Sequence, residues 1–426
     1  MITVLIILII LLGLLGVPLF AMILAATMLG FYTGEVDFSI IAAELYRLAG
    51  TPMLLALPLF AYVGYILSES NTSERLLRLT HVFFGWMPTG LAIVSLVICA
   101  VFTAFTGASG ITIVALGALL LPALIKDGYE ERFSLGLVTT SGSLGLLLPP
   151  SIPLILYGII VQQMNLGQKF TLPELFMAGL LPAILMIIML ALWAAWESRH
   201  IELEKTEFSV KEAVSALKQA LWELPLPLFI GVGIFGGFLA ISEVAAVTAL
   251  YITLVEVFIY KEIKIDGLQK VVIDAMKMVG GILLILGVSL AFTNYLVDAE
   301  IPMHLFEWIK GNVDGKITFL ILLNVFLLIL GAILDIFSAL VIIVPLIVPI
   351  AINYGVHPIH LGVIFLANMQ IGYFTPPVGM NLFIASYRFN KTITELYKAT
   401  IPFMVILMIA VVIITYVPWL SLWFID

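Results

Sequence analysis

Charge is scarce in this 426-residue chain: 11% of residues are Asp, Glu, Lys or Arg, and 62% are hydrophobic. A soluble surface needs roughly 25–35% charged residues, so this composition excludes a soluble domain of any size. Cys99 is the single cysteine, which excludes an intramolecular disulfide. It lies in an apolar run and reads as helix packing. The five histidines do not cluster with acids. His357 and His360 read as a surface turn and have no third ligand nearby, whereas a metal site needs at least three. No Ser/His/Asp order and no phosphate loop is visible, which argues against an enzyme. The basic residues are scattered through short loops, with no stripe for nucleic acid. Met1-Ile2-Thr3-Val4-Leu5 has neither a basic start nor a small-residue cleavage site, so it is expected to open the first span rather than a removed signal. The net charge of −8 follows topology in such a chain and decides little.

Apolar runs of span length recur from end to end, with a mean hydropathy of +1.20. Ile2–Phe31, interrupted at Gly16-Val17-Pro18, is either one long kinked span or two short ones, and one is favoured; further spans are expected at Thr51–Ser68, Pro173–Trp196, Pro225–Ile241, Val244–Tyr260, Val279–Val297 and Ile401–Trp423. Glu197–Glu223 is a polar linker with helical spacing, and Lys261–Lys277 a polar connector. Glu243 falls in an outer loop and reads as solvated. Ser70–Trp86 and Glu300–Gly311 are amphipathic, suited to the membrane interface, with Trp308 as an anchor.

Two regions repeat a pattern of helix breakers at one offset. Pro122, Gly128, Gly145 and Pro149-Pro150 recur as Pro349, Gly355, Gly372 and Pro376-Pro377, each 227 residues later. A double proline removes two backbone donors and interrupts a helix. In hydrocarbon that is tolerated only inside protein or beside a water-filled cavity. Paired breaks in two halves point to the binding site of a secondary transporter. Phe133–Gln163 and His357–Ser386 are therefore read as broken spans. Leu91–Leu124 and Ile317–Ile352 are read as re-entrant hairpins, with tips at Thr106–Gly110 and Leu334–Ala339. Arms of about fourteen residues reach only ~21 Å, too short to cross.

With a cytoplasmic N-terminus, this layout places Arg47, Lys169, Lys310 and Lys316 outside and the other 15 of the 19 basic residues inside. That is a strong positive-inside bias. It predicts an all-α polytopic membrane protein with nine crossings, two re-entrant hairpins and two broken helices. The halves are inverted-topology repeats, and the C-terminus is periplasmic.

The polar residues concentrate at the tips and breaks. Helix ends expose free carbonyls and amides. Carbonyls and hydroxyls with one carboxylate suit a small monovalent cation, and helix N-termini suit an anion. Asp335 is the only acid between Asp314 and Glu395. It is either an ion ligand or a helix cap, and can serve as both. Thr103, Thr106 and Ser109 fit an ion site or bonds to helix carbonyls. Thr139, Thr140, Ser141 and Ser143 fit helix packing as well as substrate binding. Gly107, Gly110, Gly145 and Gly372 read as backbone freedom or close packing. Ser151, Thr140, Asn368 and Asn381 are candidates to face a substrate; Asn324 reads as a bond across helices.

Thr106-Gly107-Ala108-Ser109-Gly110, Gly145 through Pro149-Pro150-Ser151, Asp335, and Phe374-Thr375-Pro376-Pro377-Val378-Gly379 together resemble the large membrane subunit of tripartite ATP-independent periplasmic (TRAP) transporters. The resemblance covers essentially the whole chain. It implies an elevator-type importer of organic acids such as C4-dicarboxylates or sialic acid, driven by two or more Na+ ions in a bacterial inner membrane. It also implies two partners, a periplasmic substrate-binding protein and a separate small four-span membrane subunit. One sodium site would use Thr106, Gly107 and Ser109 with carbonyls of Gly145, Leu148 and Pro150. The other would use Asp335 with carbonyls of Gly372, Thr375 and Val378; Thr103 and Ser338 stand beside them. The expected organisation is one membrane domain, with 1–90, 173–316 and 400–426 as scaffold and arms. Residues 91–163 and 317–387 would form the transport unit. A sodium–dicarboxylate symporter working without a binding protein fits the same motifs. An intramembrane enzyme would need a constellation that is not visible, and a channel would need a pore ring.

Overall fold

The computed structural model describes the chain except for residues 1–4, 6, 7, 10, 14, 86–88, 165, 168, 169, 201–208, 314, 377 and 426. Trp86, Lys169, Pro377 and the middle of the polar linker, all used in the reading above, lie outside the described residues. The regular elements among the described residues are all helices, with no strand.

The first half runs α1 (Leu19–Thr33), α2 (Ser39–Ala49), α3 (Ala56–Glu69), α4 (Thr72–Phe84), α5 (Gly90–Thr106), α6 (Ser109–Ala115), α7 (Gly117–Lys126), α8 (Glu131–Ser141), α9 (Ile152–Gln163) and α10 (Leu172–Glu197). The connecting elements are α11 (Val210–Gln219), α12 (Pro225–Phe235) and α13 (Ile241–Leu254). The second half runs α14 (Ile265–Asp298), α15 (Ile301–Asn312), α16 (Gly315–Ile333), α17 (Ile336–Asn353), α18 (Pro358–Gly372), α19 (Met380–Phe389), α20 (Ile393–Tyr416) and α21 (Trp419–Leu422). At an offset of 227, α4 falls on α15, α5 on α16, α6–α7 on α17, α8 on α18 and α9 on α19.

A hydrogen bond marks the axis between the halves. Ser143 Oγ donates to the carbonyl of Gln370 at 3.0 Å, and Gln370 is the repeat counterpart of Ser143. The halves run in opposite directions. The start of α18 meets α9 through the Tyr157 hydroxyl on the Pro358 carbonyl, at 2.6 Å. At the other end of the bundle, Lys391 beyond α19 pairs with Glu131 at the start of α8, 2.6 Å apart. The halves also interlock: α9 packs on α17, and α19 packs on α6. Each broken span therefore completes its packing on the other repeat. The first broken span lies in the centre of the bundle, with 89% of its most apolar window buried. That is where interrupted backbone can be satisfied by protein.

The first apolar segment breaks at the expected Gly16-Val17-Pro18, where Gly16 has φ +87°. Several expectations need correction. A helix not foreseen, α2, packs on α14. The span expected over Pro225–Ile241 is helical for only 11 residues. Gly236-Gly237 ends it, with Gly237 at φ +67°, and the chain reaches Ile241 without helical structure. Most of the expected polar connector Lys261–Lys277 is the start of the 34-residue α14. Val271, Ala275, Val279 and Ile282 are buried along one face of it, so the helical period continues beneath the polar residues. The final span begins at Ile393, eight residues before the expected start. His360 is buried, donating to or accepting from Ser421 Oγ at 2.5 Å, and is not part of a surface turn.

The hairpin arms are also longer than expected. Gly107, at φ +64°, reverses the chain within a two-residue tip, leaving 17 residues in α5. At about 1.5 Å per residue that helix is ~26 Å long, near the thickness of a hydrocarbon core. Among the described residues eight helices are long and apolar enough to cross a membrane, α16 and α17 included, and the α6–α7 pair, bent by 51°, makes a ninth. Length therefore does not separate a hairpin that re-enters from one that crosses twice. Either way the chain returns to the same side.

Gly145 and Gly372 show why the breaks sit where they do. A Cβ on Gly145 would lie 2.0 Å from the Ala100 carbonyl oxygen, and one on Gly372 would lie 2.4 Å from Gly331 Cα. Each break thus rests against the last two turns of its own hairpin's first arm. Gly145→Ala and Gly372→Ala should each destabilise the purified protein by about 1–3 kcal/mol in thermal unfolding. Gly280→Ala, in open space within α14, should instead stabilise it by roughly 0.5–1 kcal/mol.

Candidate functional site: two helix tips on one cavity

The first tip is held from three directions. Gly107 N–H donates to the Thr103 carbonyl at 2.8 Å, closing α5. Thr103 Oγ1 lies 2.7 Å from Thr112 Oγ1 and donates to the Gly142 carbonyl at 2.8 Å. Ser109 Oγ donates to Asn381 Oδ1 at 2.7 Å, tying the tip to the second broken span. Asn381 is fixed in turn by its N–H on the Tyr373 carbonyl at 2.8 Å. Thr106 makes only a long bond, 3.4 Å, to the Ala108 carbonyl.

At the second tip Asp335 caps α17. Its Oδ1 accepts from the N–H groups of Phe337 and Ser338, both at 3.0 Å, and its Oδ2 accepts from the Ser338 hydroxyl. The Tyr373 hydroxyl accepts the Ile336 N–H at 2.9 Å, and Gly379 N–H donates to the Ala332 carbonyl at 3.0 Å. Tip and break are thus one hydrogen-bonded unit.

The breaks are compact turns with partly used carbonyls. Gly145 accepts from Leu148 N–H and Leu148 from Ser151 N–H, each at 3.0 Å. Ser151 Oγ donates to the Leu146 carbonyl at 2.6 Å, and Pro149-Pro150 is cis. Gly372 accepts from Thr375 N–H at 3.0 Å, while Thr375 Oγ1 donates to the Ile371 carbonyl at 2.8 Å. Val378 is exposed. A carbonyl has two lone pairs, so the Gly145, Leu148 and Gly372 oxygens, each accepting one of these bonds, keep one.

Both tips open onto one cavity of about 550 Å³. Gly107, Ala108 and Ser109 line it from the first tip, Asp335 and Phe337 from the second, and Tyr373 from the second break. Tyr65, Ser68 and Glu69 of α3 complete the wall. None of these last four residues was singled out from sequence. Tyr65, Ser68 and Glu69 lie far from the breaks in the chain, and nothing local marks them. The Tyr373 hydroxyl bond was equally invisible, although Tyr373 stands immediately before the recognised motif.

Other candidates stand away from the lining. Ser151 and Thr140 are buried. Asn368 Nδ2 donates to Asn324 Oδ1 at 2.7 Å, and Asn324 Nδ2 to Thr415 Oγ1 at 3.2 Å, a network joining α18, α16 and α20. Asn324 thus bonds across helices, as read. Cys99 is buried in α5 as packing.

The cavity's charged lining residues are Asp335 and Glu69, both acids, with no Lys or Arg among them. The repeats share backbone here but not chemistry. The counterpart of Asp335 is Ala108, and that of Tyr373 is Leu146.

Comparison with known proteins agrees with the resemblance in the motifs. The family described as tripartite ATP-independent periplasmic transporter, DctM component, matches residues 5–420. The C4-dicarboxylate TRAP transporter large permease protein DctM of Vibrio cholerae is 32% identical, over 96% of this chain and 94% of that protein. The isethionate TRAP transporter permease protein DctMQ of Oleidesulfovibrio alaskensis is 31% identical, over 87% of this chain and 58% of that longer protein. The ectoine TRAP transporter large permease protein TeaC of Halomonas elongata is 28% identical, over 97% and 96%. The crystal structure of the Alcanivorax borkumensis YdaH transporter shares the fold at a TM-score of 0.63, with 12% identity over 91% of this chain and 88% of that one. With a family match over nearly its whole length, on a fold of two interlocked repeats, the chain belongs to the DctM component family of tripartite ATP-independent periplasmic transporters and is a transporter permease subunit, not an enzyme.

Proposed function

We propose that this permease imports a small organic acid across a bacterial inner membrane in symport with Na+. The observation that carries the reading is the sign of the cavity. Its charged lining residues are Asp335 and Glu69, and Glu69 Oε1 is paired with Lys270 Nζ at 3.3 Å, so Asp335 supplies the negative charge. An organic anion entering beside that carboxylate is favoured by a cation between the two, since like charges at short range repel. Spare carbonyl lone pairs at the breaks, with the Asp335 carboxylate, offer oxygen ligands for that cation. The relatives are named for C4-dicarboxylate, isethionate and ectoine. These solutes all carry a carboxylate or sulfonate, so a small organic acid is the class we assign; sialic acid belongs to the same class.

In this reading a periplasmic binding protein delivers the solute and a small four-span subunit supports the scaffold. The N-terminus is cytoplasmic. The hairpins re-enter from opposite faces, and residues 91–163 with 317–387 move as one elevator body. The interlock of α9 with α17 and of α19 with α6 supports a common body. A symporter without a binding protein remains the competing assignment, and recovery of a periplasmic protein with the purified permease separates the two.

In proteoliposomes containing the permease and its partners, uptake should stop when Na+ is replaced by choline and should not need ATP. Full uptake in choline would end the sodium reading in favour of proton coupling.

Asp335→Asn keeps an oxygen for the cap but loses the charge. Loss of one charge-assisted ligand of about 1.5–3 kcal/mol should raise the Na+ concentration for half-maximal uptake by roughly 10–100-fold. Membrane expression should be normal. An unchanged Na+ requirement would reduce Asp335 to a cap.

Cysteine pairs joining the two tips should permit transport. Pairs joining a hairpin to α12 or α13 should trap one state and abolish uptake. Pairs of the second kind that form fully while uptake continues would exclude the elevator motion.

A further inference from the structure

Away from the cavity, one arginine faces three carboxylates at an end of the bundle. Arg75, on α4, reaches Glu223 Oε1 at 2.6 Å, Glu256 Oε1 at 3.2 Å, and Glu262. The acids come from three places. Glu223 is in the turn before α12, Glu256 in a π-helical turn (Val255–Ile259) that closes α13, and Glu262 in the connector beyond. Thr72 Oγ1 lies within hydrogen-bonding distance of both Glu223 Oε1, 3.0 Å, and Glu256 Oε1, 3.2 Å. The Tyr260 ring lies under the guanidinium, 4.0 Å away, and the Tyr251 hydroxyl bonds the Trp222 carbonyl beside Glu223.

This cluster is closed to water on its inner side. The side chains of Glu256 and Glu223 are 0% and 2% exposed, and Glu262, at 19%, forms the outer edge. Fully ionised, three acids against one guanidinium leave two uncompensated negative charges. A buried charge without a partner costs several kcal/mol. Glu223 Oε2 is buried with no protein hydrogen-bond partner, so an anionic oxygen there is uncompensated.

We infer that this cluster is a proton-binding site: the Glu223–Glu256 pair carries one proton, and that proton fastens α4 to the turn before α12 and the end of α13. Both acids face the same Arg75 and the same Thr72 hydroxyl, so ionising one disfavours ionising the other and the two titrations are coupled. Burial pushes the Glu223 carboxyl above the ordinary glutamate range, against the pull of Arg75. Since α4 leads into the first hairpin, the proton sets how firmly that hairpin's arm is anchored. Glu262 is the route by which solvent reaches the pair.

The sign follows from linkage. A pair that holds its proton more tightly folded than unfolded adds stability at low pH, and that stability is lost as pH rises through the folded value. The test is thermal unfolding of the full-length protein in lipid nanodiscs from about pH 6 to about pH 8.5, with infrared spectra at both ends. The wild type should lose roughly 2–4 °C across the range and lose a carboxylic C=O band. Glu256→Gln and Glu223→Gln each remove one of the two excess charges and leave the other at the solvent edge on Glu262, so both should keep their low-pH melting temperature throughout and lack the band. Asp274→Asn, at an exposed ion pair with Lys277, should follow the wild type. If Glu256→Gln does not fold, Glu223→Gln and the wild-type band decide. A wild-type melting temperature that ignores pH, a band that survives in the variants, or a profile governed by Na+ at fixed pH would overturn the proposal.

Discussion

Backbone that leaves a helix inside a membrane protein must find its hydrogen bonds within the protein, and the rest of this structure is arranged around that demand. Both broken spans answer it with tight turns whose carbonyls accept from N–H groups three residues on. Side chains complete the work: Ser151 on Leu146, Thr375 on Ile371, and the Tyr373 hydroxyl on Ile336. The central position of the first break and the glycine contacts of both follow from it. A turn can be buried only where neighbouring helices approach closely enough to cover it.

Duplication explains the frame and not the chemistry. The offset carries over helix ends, tips and breaks with little slippage. What differs is the side chains set into that frame. Asp335 stands where the first repeat has Ala108, and Asn381 where it has Leu154. The cavity is consequently lopsided, with its carboxylate at one tip and a hydroxyl-to-amide bond at the other. An anion and its counter-cation would meet different surroundings on the two sides of the axis.

Features that break a strong local rule were legible in the sequence. Double prolines, the paired glycines, the amphipathic α4 and α15, and the single intramembrane Asp335 all announce themselves against an apolar background. Features that obey local rules but are decided at long range were not. Nothing near Lys261–Lys277 says that its apolar face will be covered over three helical turns, so α14 outran its expected start. Nothing near Pro225 shows that Gly236-Gly237 will end α12 early rather than sit inside a span. His360 looked like turn chemistry until α21 closed over it. The cavity wall formed by Tyr65, Ser68 and Glu69 is of the same kind, since those residues become special only when the tips arrive beside them. The cluster around Arg75 gathers acids 148 to 187 positions away in the chain, and no spacing rule predicts it.

The crossed packing of the repeats also dictates an order of assembly. Helices α6 and α9 rest on α19 and α17, which belong to the last quarter of the chain. A ribosome builds from the N-terminus, so the first repeat is complete in sequence long before its packing partners exist. Until then its break has its own turns and hydroxyls and the first-half helices α5 and α10 around it, while α6 and α9 lack the surfaces on which they finally rest. A fragment ending before α17 would hold a finished first repeat in sequence but an unfinished fold.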